Sequence, residues 1–343
     1  CRFYCLTFNF SVKIYRSINQ YYAQLFIHES FINLIPPRGM KNFISFLSII
    51  LLSCNTIFAQ SNSDSSFALK KENGHYYFET QINDKVPAKM MLESGIFVMV
   101  MDSLYAFENK EAINLDYVRT QENEKMNLGG KVYNITHKAK GKVQLGNNME
   151  YCGEIFILSE YKTYSGIAIP IQNICNTEDG SRILKLDMEK QALRSMSRKQ
   201  FDSESSDYTA TNINYDSYMG MPAVKTHLDF EKGGKNYSLP GNYLLDLGNA
   251  SFVFLMKQSQ IVQDFLHDNP DIELKKAYNK KGVLIAEAII TEKSSLCNRS
   301  FEKQIIAITS ALPKFTVEGS VGLKFFEGAV SVFDFDKQKF YTK

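Results

Sequence analysis

Tryptophan is absent from this chain, histidine occurs five times and cysteine six times in 343 residues. The missing tryptophan excludes little, because 25 phenylalanines and 19 tyrosines can supply core and groove surface. The shortage of histidine excludes more. His28, His75, His137, His227 and His267 are scattered, with no HExxH and no pair four residues apart, so each reads as an ordinary surface or strand residue. The cysteines form no CxxC and no Cys/His spacing. Neither a zinc site nor a disulfide framework is implied, and no metal or cofactor is expected. Basic runs are short as well. Lys275, Lys276, Lys280 and Lys281 read as solvated loop charge, and with a net charge of +2 no nucleic-acid partner is expected. The most apolar stretch, FISFLSIILL, is about half the roughly 20 residues that a membrane-spanning helix needs, and nothing after residue 60 approaches that length.

What is present is a globular balance, 44% hydrophobic and 22% charged, with room for two domains of ordinary size. Residues 1–39 open on Cys1 and pass through an irregular aromatic stretch, CRFYCLTFNF; they are expected to be upstream sequence foreign to the fold. Residues 40–59 have signal-peptide form: Met40-Lys41-Asn42, the apolar run, and Ala59 where cleavage would fall. Leu52-Ser53-Cys54 offers a lipoprotein-type alternative with Cys54 lipidated, whereas the Phe58-Ala59-Gln60 ending favours plain secretion. Either route predicts a secreted or periplasmic protein. Cys1, Cys5 and Cys54 would leave with the removed region. Cys152, Cys175 and Cys297 remain, with room for one bridge, Cys152–Cys175.

The rest of the chain repeats itself. SVFDFDKQKFY (331–341) has a near copy in LKLDMEKQAL (184–193), and both fit a strand, a tight turn and a strand. KMMLESGIFVMVM (89–101) aligns with NYLLDLGNASFVFLM (242–256): two apolar residues, an acid, one residue, a glycine, then an apolar strand. Glu93 takes the place of Asp246 and Gly95 that of Gly248. Glu93 to Gly166 and Asp246 to Gly319 are both 73 residues apart, which ties YSGIAIPI (164–171) to VEGSVGLKFF (317–326). Between these landmarks lie β-branched alternations broken by Gly/Asn turns, the pattern of hairpins. The polar stretch 201–212 reads as a linker, so two β-rich lobes are expected at 66–200 and 213–343. Helical pattern is sparse; KQSQIVQDFLHDN (257–269) is the best case, with Ile261, Phe265 and Leu266 on one face.

On these motifs the chain resembles the pepsin/retropepsin-like aspartic peptidases, in particular the secreted bacterial type with two lobes in one chain, over residues 70–343. The resemblance implies an all-β, bilobal pepsin-like fold: two pseudo-symmetric β-barrel lobes with few short helices and a cleft between them. It implies that two acids meet at the seam under a hairpin flap, with an extended peptide as substrate; because the duplication lets one chain supply both loops, a monomer is expected. Two carboxylates in contact share one proton, so that one acts as base on water and the other polarises the scissile carbonyl. Asp246 matches one catalytic position, and Glu93 occupies the other as a departure. Ser94 matches the family's hydroxyl; Leu247 does not. Gly95 and Gly248 match the turn glycines, Asn249 could lend Asp246 a polar contact, and Gly129-Gly130 is the candidate flap tip.

Three readings of function stay open at this level. The first is a secreted aspartic-peptidase-like protein with impaired or lost catalysis that holds extended peptides. The second is an active endopeptidase using a Glu93/Asp246 dyad. The third is a non-catalytic β-rich envelope protein, which expects the two acids to lie apart on the surface. Asp187 and Asp334, for all their acidic look, read as hairpin-turn residues.

Overall fold

The computed structural model describes residues 66–121, 124–216, 220–278, 284–309 and 316–343; the expected upstream segment, signal peptide and Cys54 lie outside them. The short alternating runs fold as strands. Among the described residues these form two sheets, of fifteen and ten strands, with only short helices between them. The chain is all-β.

Both halves follow one plan. In the first, Val86–Glu93 lies parallel to Ile167–Pro170, which runs antiparallel to Met99–Asp102, itself parallel to Met149–Leu158. In the second, Lys235–Leu245 lies parallel to Gly319–Val321, which runs antiparallel to Val253–Met256, itself parallel to Ile305–Thr309. The same order and the same directions recur step for step. In each half a strand from far along the chain is inserted between two sequence neighbours, and the long connection this needs is what the hairpins supply.

The register moves one sequence landmark. Pro170 pairs with Glu93 and Ala168 with Met91, while Val321 pairs with Leu245 and Ser320 with Leu244. Ser320 therefore corresponds to Ala168 and Gly319 to Ile167, so the repeat runs one residue longer in the first half than the glycine spacing suggested. The glycines differ in kind. Gly166 has a left-handed backbone (φ 78°) at the end of a 3-10 turn, whereas Gly319 lies inside its strand, where a Cβ would meet the Phe254 carbonyl at 2.4 Å.

The two copies of the terminal hairpin lie side by side. Ile183–Asp187 runs antiparallel to Val330–Asp334, with Leu184 opposite Phe333 and Leu186 opposite Ser331. Since Leu184 corresponds to Ser331 and Leu186 to Phe333, exchanging the halves maps the contact onto itself, as a two-fold contact does. The turns match too. Asp187 Oδ1 accepts from the Lys190 amide at 3.0 Å and Asp334 Oδ1 from the Lys337 amide at 3.0 Å. Gln191 and Gln338 both take left-handed backbone, at φ 50° and 52°. The acids shape the turn.

Residues 201–212, expected to join the halves, carry regular structure: Arg198–Glu204 is a helix with Phe201 buried, and Thr209–Tyr215 is a strand paired with Lys339–Thr342. One local expectation needs correction. The helix at Gln260–Asp268 forms, but it is rotated from the expected face. Val262 is buried, Phe265 and Leu266 pack on the core, and Ile261 faces solvent. Positions 262, 265 and 266 follow the i, i+3, i+4 stripe that one helical face presents.

One buried apolar cluster runs through both halves, from Phe78, Met99 and Ile157 to Val253, Ile306 and Phe333. A second gathers Met91, Ile96, Val98, Tyr133, Phe156 and Tyr161 around the bend that follows Glu93.

Candidate functional site

Each acid stands where a buried strand ends. Val86–Glu93 runs out at Glu93, and Lys235–Leu245 stops one residue short of Asp246, whose amide donates to Val321 O at 2.9 Å. The inserted strand beside each acid fixes the height at which its chain turns. The structure brings the two bends together, and Ser94 joins them. Its hydroxyl donates to Leu245 O at 2.6 Å and accepts from the Leu247 amide at 2.8 Å, with no part of the residue exposed. Leu247, the matching residue of the other bend, is buried in the apolar core and returns no such bond. The seam is clasped from one side.

The carboxylates meet over the two glycines. Glu93 Oε2 accepts from the amides of Ser94 and Gly95, both at 2.9 Å. Asp246 Oδ1 accepts from the Gly248 amide at 3.0 Å, and Oδ2 from the Ser320 hydroxyl at 3.2 Å. A Cβ on Gly95 would stand 2.7 Å from Asp246 Oδ1 and 3.3 Å from Glu93 Oε2; one on Gly248 would stand 1.6 Å from Glu93 Oε1. Both positions need glycine because a carboxylate from across the seam fills the space a side chain would take. The extra methylene of glutamate carries its carboxyl further onto the opposite glycine than aspartate reaches.

Burial raises both acids. Glu93 is pushed up to about 8, first by loss of water and then by the negative charge of Asp246, against the pull of its two amide donors. Asp246 is also raised by burial, opposed by the bonds from Ser320, Gly248 and Asn249. In a pair whose charges act on each other the titration belongs to both groups together. Such a pair can hold one proton and one charge side by side, the arrangement required to donate to one atom while accepting from another.

Ser320 is the residue that sequence reasoning missed. Its signal was a hydroxyl within VEGSVG, at a place whose counterpart is Ala168. Asn249 meets Asp246 through its backbone amide, which donates to the Asp246 carbonyl at 3.2 Å, while its side-chain amide donates to Ser320 Oγ at 3.2 Å and reaches the carboxylate one step removed. Gly129 and Gly130, both left-handed, form the two-residue turn of the Lys125–Leu128/Lys131–Gly146 hairpin. The two acids lie together at the seam rather than apart on the surface.

Elsewhere, a cavity of about 800 Å³ lies against Leu104, Phe107, Arg119, Glu124 and His137, and neither acid lines it. Cys152, Cys175 and Cys297 are free thiols. Among the described residues no group of three or more His, Cys, Asp or Glu side chains could hold a metal ion, and no helix is long and apolar enough to cross a membrane.

No family model matches the sequence. No curated protein matches it either. Among solved structures, similar chains are found. The chain is similar to an aspartic proteinase from Irpex lacteus at 9% identity, over 81% of this chain and 96% of that one, with a TM-score of 0.49. It is similar to the basic 7S globulin from soybean at 6% identity, over 81% and 94% of the two chains, with a TM-score of 0.48. For conglutin gamma, a basic 7S globulin from lupine seeds, the identity is 8%, the coverage 81% and 94%, and the TM-score 0.47.

Proposed function

We propose that this chain is a secreted aspartic-peptidase-like protein that holds an extended peptide against the Glu93–Asp246 pair and hydrolyses it far more slowly than a paired-aspartate site would. In that chemistry Asp246 takes a proton from water as the water oxygen bonds to the scissile carbonyl carbon, and Glu93 gives its proton to the carbonyl oxygen. The C–N bond then breaks as the amine takes the proton held by Asp246 and one hydroxyl of the tetrahedral carbon returns its proton to Glu93. The signal-like residues 40–59 support export, and the Gly129-Gly130 turn is the flap of this reading. One chain supplies both acids, so a monomer suffices.

One observation carries the loss of rate: Glu93 Oε1 reaches to 1.6 Å from the Cβ position of Gly248, while Asp246 Oδ1 stays 2.7 Å from that of Gly95. The pair is offset by about the length that costs roughly 100-fold when a reacting group is misplaced. Leu247 offers no hydroxyl in return, so the backbone of the first bend lacks the cross-seam bonds that the second receives from Ser94.

The test uses unfolded protein substrates between pH 3 and 7 together with a statine-type transition-state mimic. Binding of the mimic with slow cleavage is expected, and Glu93→Asp combined with Leu247→Thr should raise cleavage about 10-fold or more. Rapid cleavage by the unaltered chain, abolished by Asp246→Asn, would overturn the claim of impairment. A folded chain that neither binds the mimic nor cleaves would overturn the reading as a whole.

A further inference from the structure

The surroundings of the two acids are unequal, and the inequality has a direction. Asn249 Oδ1 accepts from the Ser251 amide at 2.9 Å and from the Ser251 hydroxyl at 2.7 Å. A backbone N–H can only donate, so the oxygen of the Asn249 amide must face Ser251 and its nitrogen must face the other way. That nitrogen donates to Ser320 Oγ at 3.2 Å. The Ser320 hydroxyl has one proton, and it goes to Asp246 Oδ2, also at 3.2 Å. The other oxygen of Asp246 already accepts from the Gly248 amide. Ser320 and Asn249 are both buried, which makes an unmet donor costly and keeps the chain of bonds in this sense.

The first half has no counterpart. Ala168 stands where Ser320 stands and carries no hydroxyl. Glu93 Oε2 takes two amide donors, and Oε1, lying over Gly248, has no hydrogen bond from the described residues. A proton on Asp246 would have to sit on an oxygen that already faces a donor. On Glu93 it has a free oxygen. We propose that Ser320, oriented by Asn249 and Ser251, is a positioning residue that holds Asp246 as the proton-free member of the pair and leaves the shared proton on Glu93. This rests on the pair being the working site. It assigns Asp246 as the base and Glu93 as the acid. Among the described residues the titratable side chain that acts on Asp246 is Glu93; Asn249 and Ser251 from its own loop and Ser320 from the inserted strand are uncharged.

Carboxyl-carbon NMR titration of the whole chain tests this without any need for turnover, with the two resonances assigned through Glu93→Gln and Asp246→Asn. At pH 6 Asp246 should be ionised and Glu93 protonated. Ser320→Ala should raise the Asp246 midpoint by about one pH unit, Ser320→Thr should restore it, and Asn249→Ala should move it the same way as Ser320→Ala. Should Ser320→Ala fail to fold, Asn249→Ala and Ser320→Thr decide the same question at the same resonances. A protonated Asp246 beside an ionised Glu93 at pH 6 would overturn the assignment, and so would an Asp246 midpoint unmoved in a folded Ser320→Ala or Asn249→Ala. If the titrations come out as expected while the chain neither binds nor cleaves peptides, the proton assignment stands and the functional reading falls.

Discussion

Gly248→Ala puts the packing of the acid pair to a quantitative test. The new methyl would stand 1.6 Å from Glu93 Oε1 and 2.5 Å from its Cδ. Ordinary contact lies near 3.5 Å, so the carboxyl must retreat by about 2 Å. It cannot do so and keep both bonds from the Ser94 and Gly95 amides to Oε2. Each is worth about 1 kcal/mol net, and more where a buried donor is left unmet, which sets the cost at about 2–4 kcal/mol. Glu93→Ala strands the same two amides, but it also removes the atoms that the methyl would strike. In that background Gly248→Ala should cost little, because the three nearest atoms all belong to Glu93. A double-mutant cycle by urea unfolding should therefore show a coupling of about 2 kcal/mol or more. If the two changes add to within about 0.5 kcal/mol, the carboxyl does not lie over Gly248 and the account of the pair is wrong.

Three further outcomes follow from the same geometry. Glu93 titrates in the folded chain near 8 against an ordinary 4.5, so between those values the folded state holds the extra proton; stability should be fully present below pH 4.5 and decline as pH rises towards 8. A stability profile flat across that window, or one that Glu93→Gln does not flatten, would refute this. Ser94→Ala removes both bonds across the seam and should cost about 2–3 kcal/mol in chemical unfolding, whereas Leu247→Ser at the matching position should not lose any hydrogen bond. On the helix Gln260–Asp268, Val262→Ala should lower stability by about 1–2 kcal/mol while Ile261→Ser stays within about 0.5, a contrast that thermal melts of the two variants would read directly.

The bends at Glu93 and Asp246 were legible because a buried strand ending in an acid and a glycine is a local pattern, and it occurs twice. The terminal hairpins were legible for the same reason: Asp187 and Asp334 bond to amides only three residues on. The helix face was misjudged by one position. Ile261 and Val262 are both apolar, and only the neighbouring elements decide which of them points inward. Ser320 escaped notice because its partner lies 74 residues away, beyond the reach of any local pattern.

Chain order and composition alone determined an all-β molecule with two like halves and an acid at each matching turn, since alternation, turn residues and repetition are properties of short segments. Tertiary structure decided what those acids do to one another. The clasp of Ser94 on the opposite bend, the glutamate carboxyl laid over Gly248 and the hydroxyl from Ser320 all join residues distant in sequence. Hydrogen-bond direction and loss of water act through space, and neither is written in the order of the residues.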